Sequence, residues 1–134
     1  MAIPSGSGSE VLRNAAINAN SGGAALVDWG GTTGTGTVRT SQNTSGVVAV
    51  PANVIITVLT ITAMCHAANG TISGTIDWQG GGSDIAIFKL LSQASDTTFV
   101  FNDKFVLREG DKLKLYNSAT DTGWHVSFIY QDWT

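Results

Sequence analysis

The chain has 134 residues, a formal net charge of −3 and a charged fraction of 13%, about half the usual ~25%. That length fits one domain with one core, and seven scattered Lys and Arg residues give no footprint for nucleic acid. A single cysteine, Cys65, excludes an intrachain disulfide. Serine, threonine, asparagine and glycine replace the missing charges, a surface suited to dense protein–protein packing. The opening MAIPSGSGSE has neither a basic nor an apolar leader segment, so no signal peptide is expected. The most apolar run, 54–64, holds three threonines and is too short for a bilayer, so no membrane partner is expected.

Residues 1–46 read as an extended arm. They carry nine of the sixteen glycines and four charges: Glu10, Arg13, Asp28 and Arg39. Residues 11–20 fit either a short helix with Ser9 as N-cap or a strand. The run GGTTGTGT at 30–37 has too much backbone freedom to form an element alone. The arm is either flexible or laid on a neighbouring subunit, with Leu26 and Trp29 as its anchors.

From residue 47 the pattern becomes that of a β domain, 47–134. Residues 47–50 suggest a short strand broken by Pro51. VIITVLTITAMC, Val54–Cys65, is dominated by β-branched residues, which favour extended backbone. Unbroken alternation puts Ile55, Leu59, Ile61, Ala63 and Cys65 on one face, and Val54, Ile56 and Val58 on the other with Thr60, Thr62 and Met64. The second face reads as semi-buried against another subunit. Asn69-Gly70 signals a turn. Further strands are expected at 71–78, 85–90, 99–101, 105–107, 112–116 and 124–133, with a loop at 80–82. The stretch FVLREGDKLKLY, 105–116, has the signature of a β-hairpin around Gly110. About eight short strands at regular spacing predict an all-β antiparallel sandwich, jelly-roll-like.

Candidate chemistry is sparse. Cys65 and His66 are adjacent and point to opposite faces of a strand, so they do not share a metal. A Cys65–His125 nucleophile pair has no third orienting group. Asp77 with Asp84, and Asp103 with Asp111, fall at strand ends and turns, where aspartate serves the backbone. No metal, cofactor or catalytic set is expected, and the chain reads as a non-enzyme. Asn43-Thr44-Ser45 and Asn69-Gly70-Thr71 match the glycosylation pattern, which matters only in a secreted protein. Trp29, Trp78, Trp124 and Trp133 admit two readings: core or interface anchors, or a sugar-stacking platform.

Val50-Pro51-Ala52-Asn53, the strand ITVLTIT, and FNDKFVLREGDKLKLYNSATDTGWHVSFIYQ together resemble small tailed-phage virion proteins. Leu107, Gly110, Asp111, Leu113 and Leu115 occupy their L-x-x-GD-x-L-x-(V/L) motif, and 126–130 their closing strand. The likeness covers 47–132 and departs from the pattern at Gln131 and Asp132. It implies a capsid decoration (cement) protein on the virion exterior, made in the host cytoplasm. The implied partners are the major capsid protein and other copies of the chain as a homotrimer. The alternative it leaves open is a receptor- or carbohydrate-binding module of a fibre, neck or tail. The expected contact residues are Leu26, Trp29, Val54, Ile56, Val58, Trp78, Trp124 and Trp133.

Overall fold

The computed structural model describes residues 9–19, 22–30, 36–40, 47–78, 84–119 and 121–133. Ten strands run through them: β1 (Ser9–Ala19), β2 (Gly23–Asp28), β3 (Gly36–Thr40), β4 (Val54–Cys65), β5 (Asn69–Asp77), β6 (Ile85–Gln93), β7 (Thr97–Phe101), β8 (Phe105–Leu107), β9 (Lys112–Asn117) and β10 (Thr122–Asp132). They make two antiparallel layers of a sandwich. One runs β1-β10-β4-β7, with β8 also on β4; the other runs β2-β9-β5-β6. β3 links the layers, antiparallel to β2 and parallel to β1.

With β3 and β8 set aside, eight strands remain, and their pairing follows one rule. The first pairs with the last (β1–β10), the second with the seventh (β2–β9), the third with the sixth (β4–β7) and the fourth with the fifth (β5–β6). A long hairpin rolled into two sheets gives this order, which is the jelly roll. The expected fold class is therefore the observed one.

Four local expectations are corrected. Residues 9–19, 22–30 and 36–40 of the expected arm do not lie apart from the 47–134 domain. They supply β1, β2 and β3 to its sheets, and 11–19 is strand rather than helix. Their small side chains suit this role: Ala15, Ala25 and Val27 are buried where the layers converge. Residues 47–50 are not a strand. Their backbone instead receives Trp29 N–H at Val47 O, 2.9 Å, and Gly110 N–H at Val50 O, 2.9 Å. Third, 105–116 is not a hairpin. β8 pairs with β4, and β9 pairs with β2 and β5, so the turn at 108–111 carries the chain between layers. Gly110 has φ 88°, and the Asp111 carboxylate accepts Arg108 N–H at 3.1 Å. Asn69-Gly70 likewise opens β5 rather than sitting inside a turn. Residues 1–8, 31–35, 43–45 and 80–82 lie outside the described residues, and with them part of the GGTTGTGT run, one glycosylation triplet and the glycine loop.

The core lies between the layers. Trp29, Trp124, Phe128, Ile56, Ile61, Ile72 and Leu113 are among its largest fully buried side chains. Trp29 meets Phe128 edge-on, with centroids 5.0 Å apart, and donates Nε1–H to Val48 O at 2.9 Å. At the β6–β7 side, Phe88 stacks against Phe99 and Phe101 at 5.0 and 5.4 Å. Its ring lies over Gly74, where a Cβ would sit 2.5 Å from it. Glycine inside β5 therefore makes room for an aromatic from β6.

β4 carries a bulge. Thr60 opposes Ser127 and Val58 opposes Phe128, so Leu59 has no partner on β10. The extra residue shifts the phase of the strand. Val54, Ile56 and Val58 face inward before the bulge; Ile61, Ala63 and Cys65 face inward after it.

Among the described residues three charged side chains are buried: Asp28, Asp111 and Arg13. Arg13 on β1 is buried, lies 3.8 Å over the Tyr130 ring and donates Nη1–H to Trp29 O at 3.0 Å. Burial pushes the Tyr130 phenol above its ordinary value, and the Arg13 guanidinium pulls the other way without cancelling the shift. In the unfolded chain this phenol ionises at about pH 10. The folded state holds the proton to higher pH, so Tyr130 supports the fold fully below that point and loses its contribution as pH rises through the folded value. Chemical denaturation between pH 8 and 11 is expected to show stability falling above about pH 10, and the fall shrinking in Tyr130→Phe.

Candidate interaction face

The outer faces of the two layers differ in chemistry. The outer face of β2-β9-β5-β6 carries ion pairs beside exposed Leu91 on β6 and Tyr116 on β9. Lys114 Nζ lies 2.7 Å from Asp84, Lys112 Nζ lies 4.0 Å from Asp77, and Lys89 is exposed on β6. Such exposed pairs contribute little stability, about 0–1 kcal/mol each, and mark a surface that water covers.

The outer face of β1-β10-β4-β7/β8 is different. Alternation turns Arg13 and Ala15 inward on β1 and leaves Leu12, Asn14 and Ala16 outside. Register then aligns outward residues across strands. Leu12, Ile129, Thr57 and Val106 form one row over β1, β10, β4 and β8. Asn14, Ser127 and Thr60 form the next, with Thr60 Oγ1 and Ser127 Oγ 2.5 Å apart. Ala16, His125, Thr62 and Val100 form the third. Leu12 is 70% exposed, Val106 62% and Val100 52%. Among the described residues of these strands, Glu10 is the one Asp, Glu, Lys or Arg on this face, and Gln131 Nε2 donates to it at 2.9 Å.

Both histidines lie at this face. His125 stands exposed in the third row. His66 follows β4, and its Nε2 lies 3.8 Å from where a Cβ on Gly123 would be, beside Met64. Cys65 is buried on the opposite side of the strand, so the Cys65–His66 pair is split as expected. Among the described residues no three His, Cys, Asp or Glu side chains come together as a metal cluster.

The expected contact residues scatter. Val54, Ile56, Val58, Trp29 and Trp124 are core residues of this chain and present no surface to a partner. The bulge turned the first three inward, and Trp124 is held by Nε1–H to Asn117 Oδ1 at 3.2 Å. Leu26 is half-buried on the charged layer, opposite Lys114. Trp133 is half-buried just past β10, its backbone N–H on Asn53 O at 2.9 Å. Trp78 is 39% exposed at the end of β5. The residues that form the uncharged face, Leu12, Val100, Val106 and Ile129, were not singled out from the sequence. The signal available was the absence of charge between Arg39 and Asp77, but it marks only β4.

The chain matches no protein-family profile, and no curated protein matches it. Among solved structures it is similar to a Bacillus endospore appendage protein of disulfide-linked pili, at 11% identity and TM-score 0.46, over 98% of this chain and 95% of that one. It is also similar to a family 35 carbohydrate-binding module from Clostridium thermocellum, at 20% identity and TM-score 0.30, over 92% and 97%. A third match is to infectious bursal disease virus, Gx strain, at 9% identity and TM-score 0.30, over 92% of this chain and 37% of that one.

Proposed function

We propose that the chain is a structural, non-enzymatic virion protein, a capsid decoration protein that self-associates through the uncharged outer face. The observation that carries this is the contrast between the two outer faces: one ion-paired, the other bearing exposed Leu12, Val100 and Val106 amid hydroxyls. Burying an unpaired charge is costly, so a face whose one carboxylate, Glu10, lies near its end suits a partner that is uncharged over the rest. A second copy of the same face meets that condition. Four strand positions at ~4.8 Å spacing and about eleven residues at ~3.3 Å give a footprint of roughly 700 Å². That approaches the ~800 Å² per partner of a standard stable interface. The homotrimer, the major capsid protein as second partner, the capsid exterior as location and synthesis in the host cytoplasm follow from the resemblance to phage virion proteins. Nucleic acid and membrane have no part in this reading.

The test is the molar mass of the protein in solution. The wild type is expected to be oligomeric at micromolar concentration. Leu12→Glu with Val106→Glu is expected to weaken association by about a hundredfold or more, since each burial places a carboxylate in an apolar contact. Lys89→Glu, on the other outer face, should leave it unchanged. A wild type that stays monomeric at high concentration sinks the self-association reading, and failure to bind particles lacking the protein sinks the decoration reading.

Exposed Trp78 and Tyr116 support a second reading, glycan binding by the charged layer as part of a fibre or tail module. A glycan array is expected to separate the two: binding lost on Trp78→Ala would favour this reading, and an array blank for the wild type removes it.

A further inference from the structure

We infer that self-association through the uncharged face is gated by protons at His125; this rests on the self-association reading above. His125 occupies the third row, flanked by Ala16 on β1 and Thr62 on β4, with Val100 one strand further. It is exposed in the single chain and would be covered when a second copy docks. Imidazole is the ordinary side chain that changes charge between pH 5 and 8. As a neutral group it belongs to this face of hydroxyls and aliphatics. As a cation it becomes a charge in the middle of a contact.

What surrounds it decides whether that charge is compensated. The outward neighbours on β1 are Ala16 and Asn14; those on β4 are Thr60, Thr62 and Met64; along β10 they are Gly123 and Ser127. None is acidic. Glu10, the acidic residue of the face, lies opposite Gln131, six residues along β10 from His125 and so about 20 Å away. His66 adds a second imidazole at the end of the face, beyond Gly123. It is differently placed, because its backbone N–H bonds Asp121 O at 2.8 Å, and Asp96 N–H bonds the adjoining Cys65 O at 2.6 Å. His66 thus lies past the end of β4 in the turn region, whereas His125 stands within the third row of the face. The gate therefore belongs to His125. Each copy in the assembly brings one such imidazole, so acid introduces one like charge per protomer into the contact.

The experiment needs no partner: the molar mass of the full chain is measured by light scattering from pH 7.5 to 5.5 for wild type, His125→Asn and His125→Lys, with circular dichroism confirming the fold. The wild type is expected to associate at pH 7.5 and to weaken about tenfold or more by pH 5.5. His125→Asn should associate equally at both, and His125→Lys at neither. Equal association of the wild type at both pH values overturns the gate and leaves the self-association reading standing. The same loss in acid for His125→Asn also overturns it, moving the effect to another group. A monomeric wild type at pH 7.5 overturns both.

Discussion

Replacing Trp29 by alanine is expected to cost about 3–5 kcal/mol in urea denaturation and to lower the melting temperature by roughly 10–20 °C. The whole stability of a domain of this kind is about 5–15 kcal/mol, so the variant should sit near the limit of folding. The reason is the position of the indole. It is fully buried, meets Phe128 edge-on and fixes the 47–50 segment through Nε1–H on Val48 O. Alanine leaves a cavity between the layers and an unsatisfied carbonyl at Val48. A loss below about 1 kcal/mol would return Trp29 to an arm that adds nothing to the core.

Deleting Leu59 is expected to leave the protein folded at a cost of about 1–3 kcal/mol, while Leu59→Thr changes stability by less than about 1 kcal/mol. Leu59 is the extra residue of the bulge. With it removed, Thr60 alone separates Val58 from Ile61, so strict alternation still turns Val54, Ile56 and Val58 inward together with Ile61, Ala63 and Cys65. What is lost is one half-buried aliphatic side chain and the local twist that the bulge gives β4. The threonine variant keeps both the residue count and the bulge. A deletion variant without a native dichroism spectrum would show that the bulge itself, beyond the phase of β4, is needed for the fold.

These two sites also mark where the sequence is readable and where it is not. β4 to β10 were legible because β-branched and aromatic residues alternate between turn residues there, although the expected eight strands of 47–134 included 47–50, and seven are observed. The pairing partners were not legible. Leu107, Leu113 and Leu115 alternate equally well in a hairpin or across a corner between layers, and only the layers decide. The bulge was hidden because 54–59 is apolar at five of its six positions, so either phase fits. The first strands were hidden for the opposite reason. Ala15, Ala25 and Val27 are too small to stand out, yet small residues are what the close approach of β1 and β2 to the core accepts. Of the face, the aliphatic members Leu12, Val100 and Val106 are each unremarkable in sequence. They become a surface only when register sets them beside one another.

The pairing of β1 with β10 has a consequence for how the molecule comes into being. Ser9 stands opposite Asp132, and β10 lies between β1 and β4 as an interior strand of its layer. During synthesis β10 therefore emerges after the other strands of the layer it completes. Until it does, the apolar inner edge of β4 has no long partner, and β1 has nothing to pair with along its length. Contacts between segments far apart in a chain form slowly, and unpaired edges invite aggregation meanwhile. The uncharged outer face is complete only once β10 is in place, so any association through that face waits for this strand.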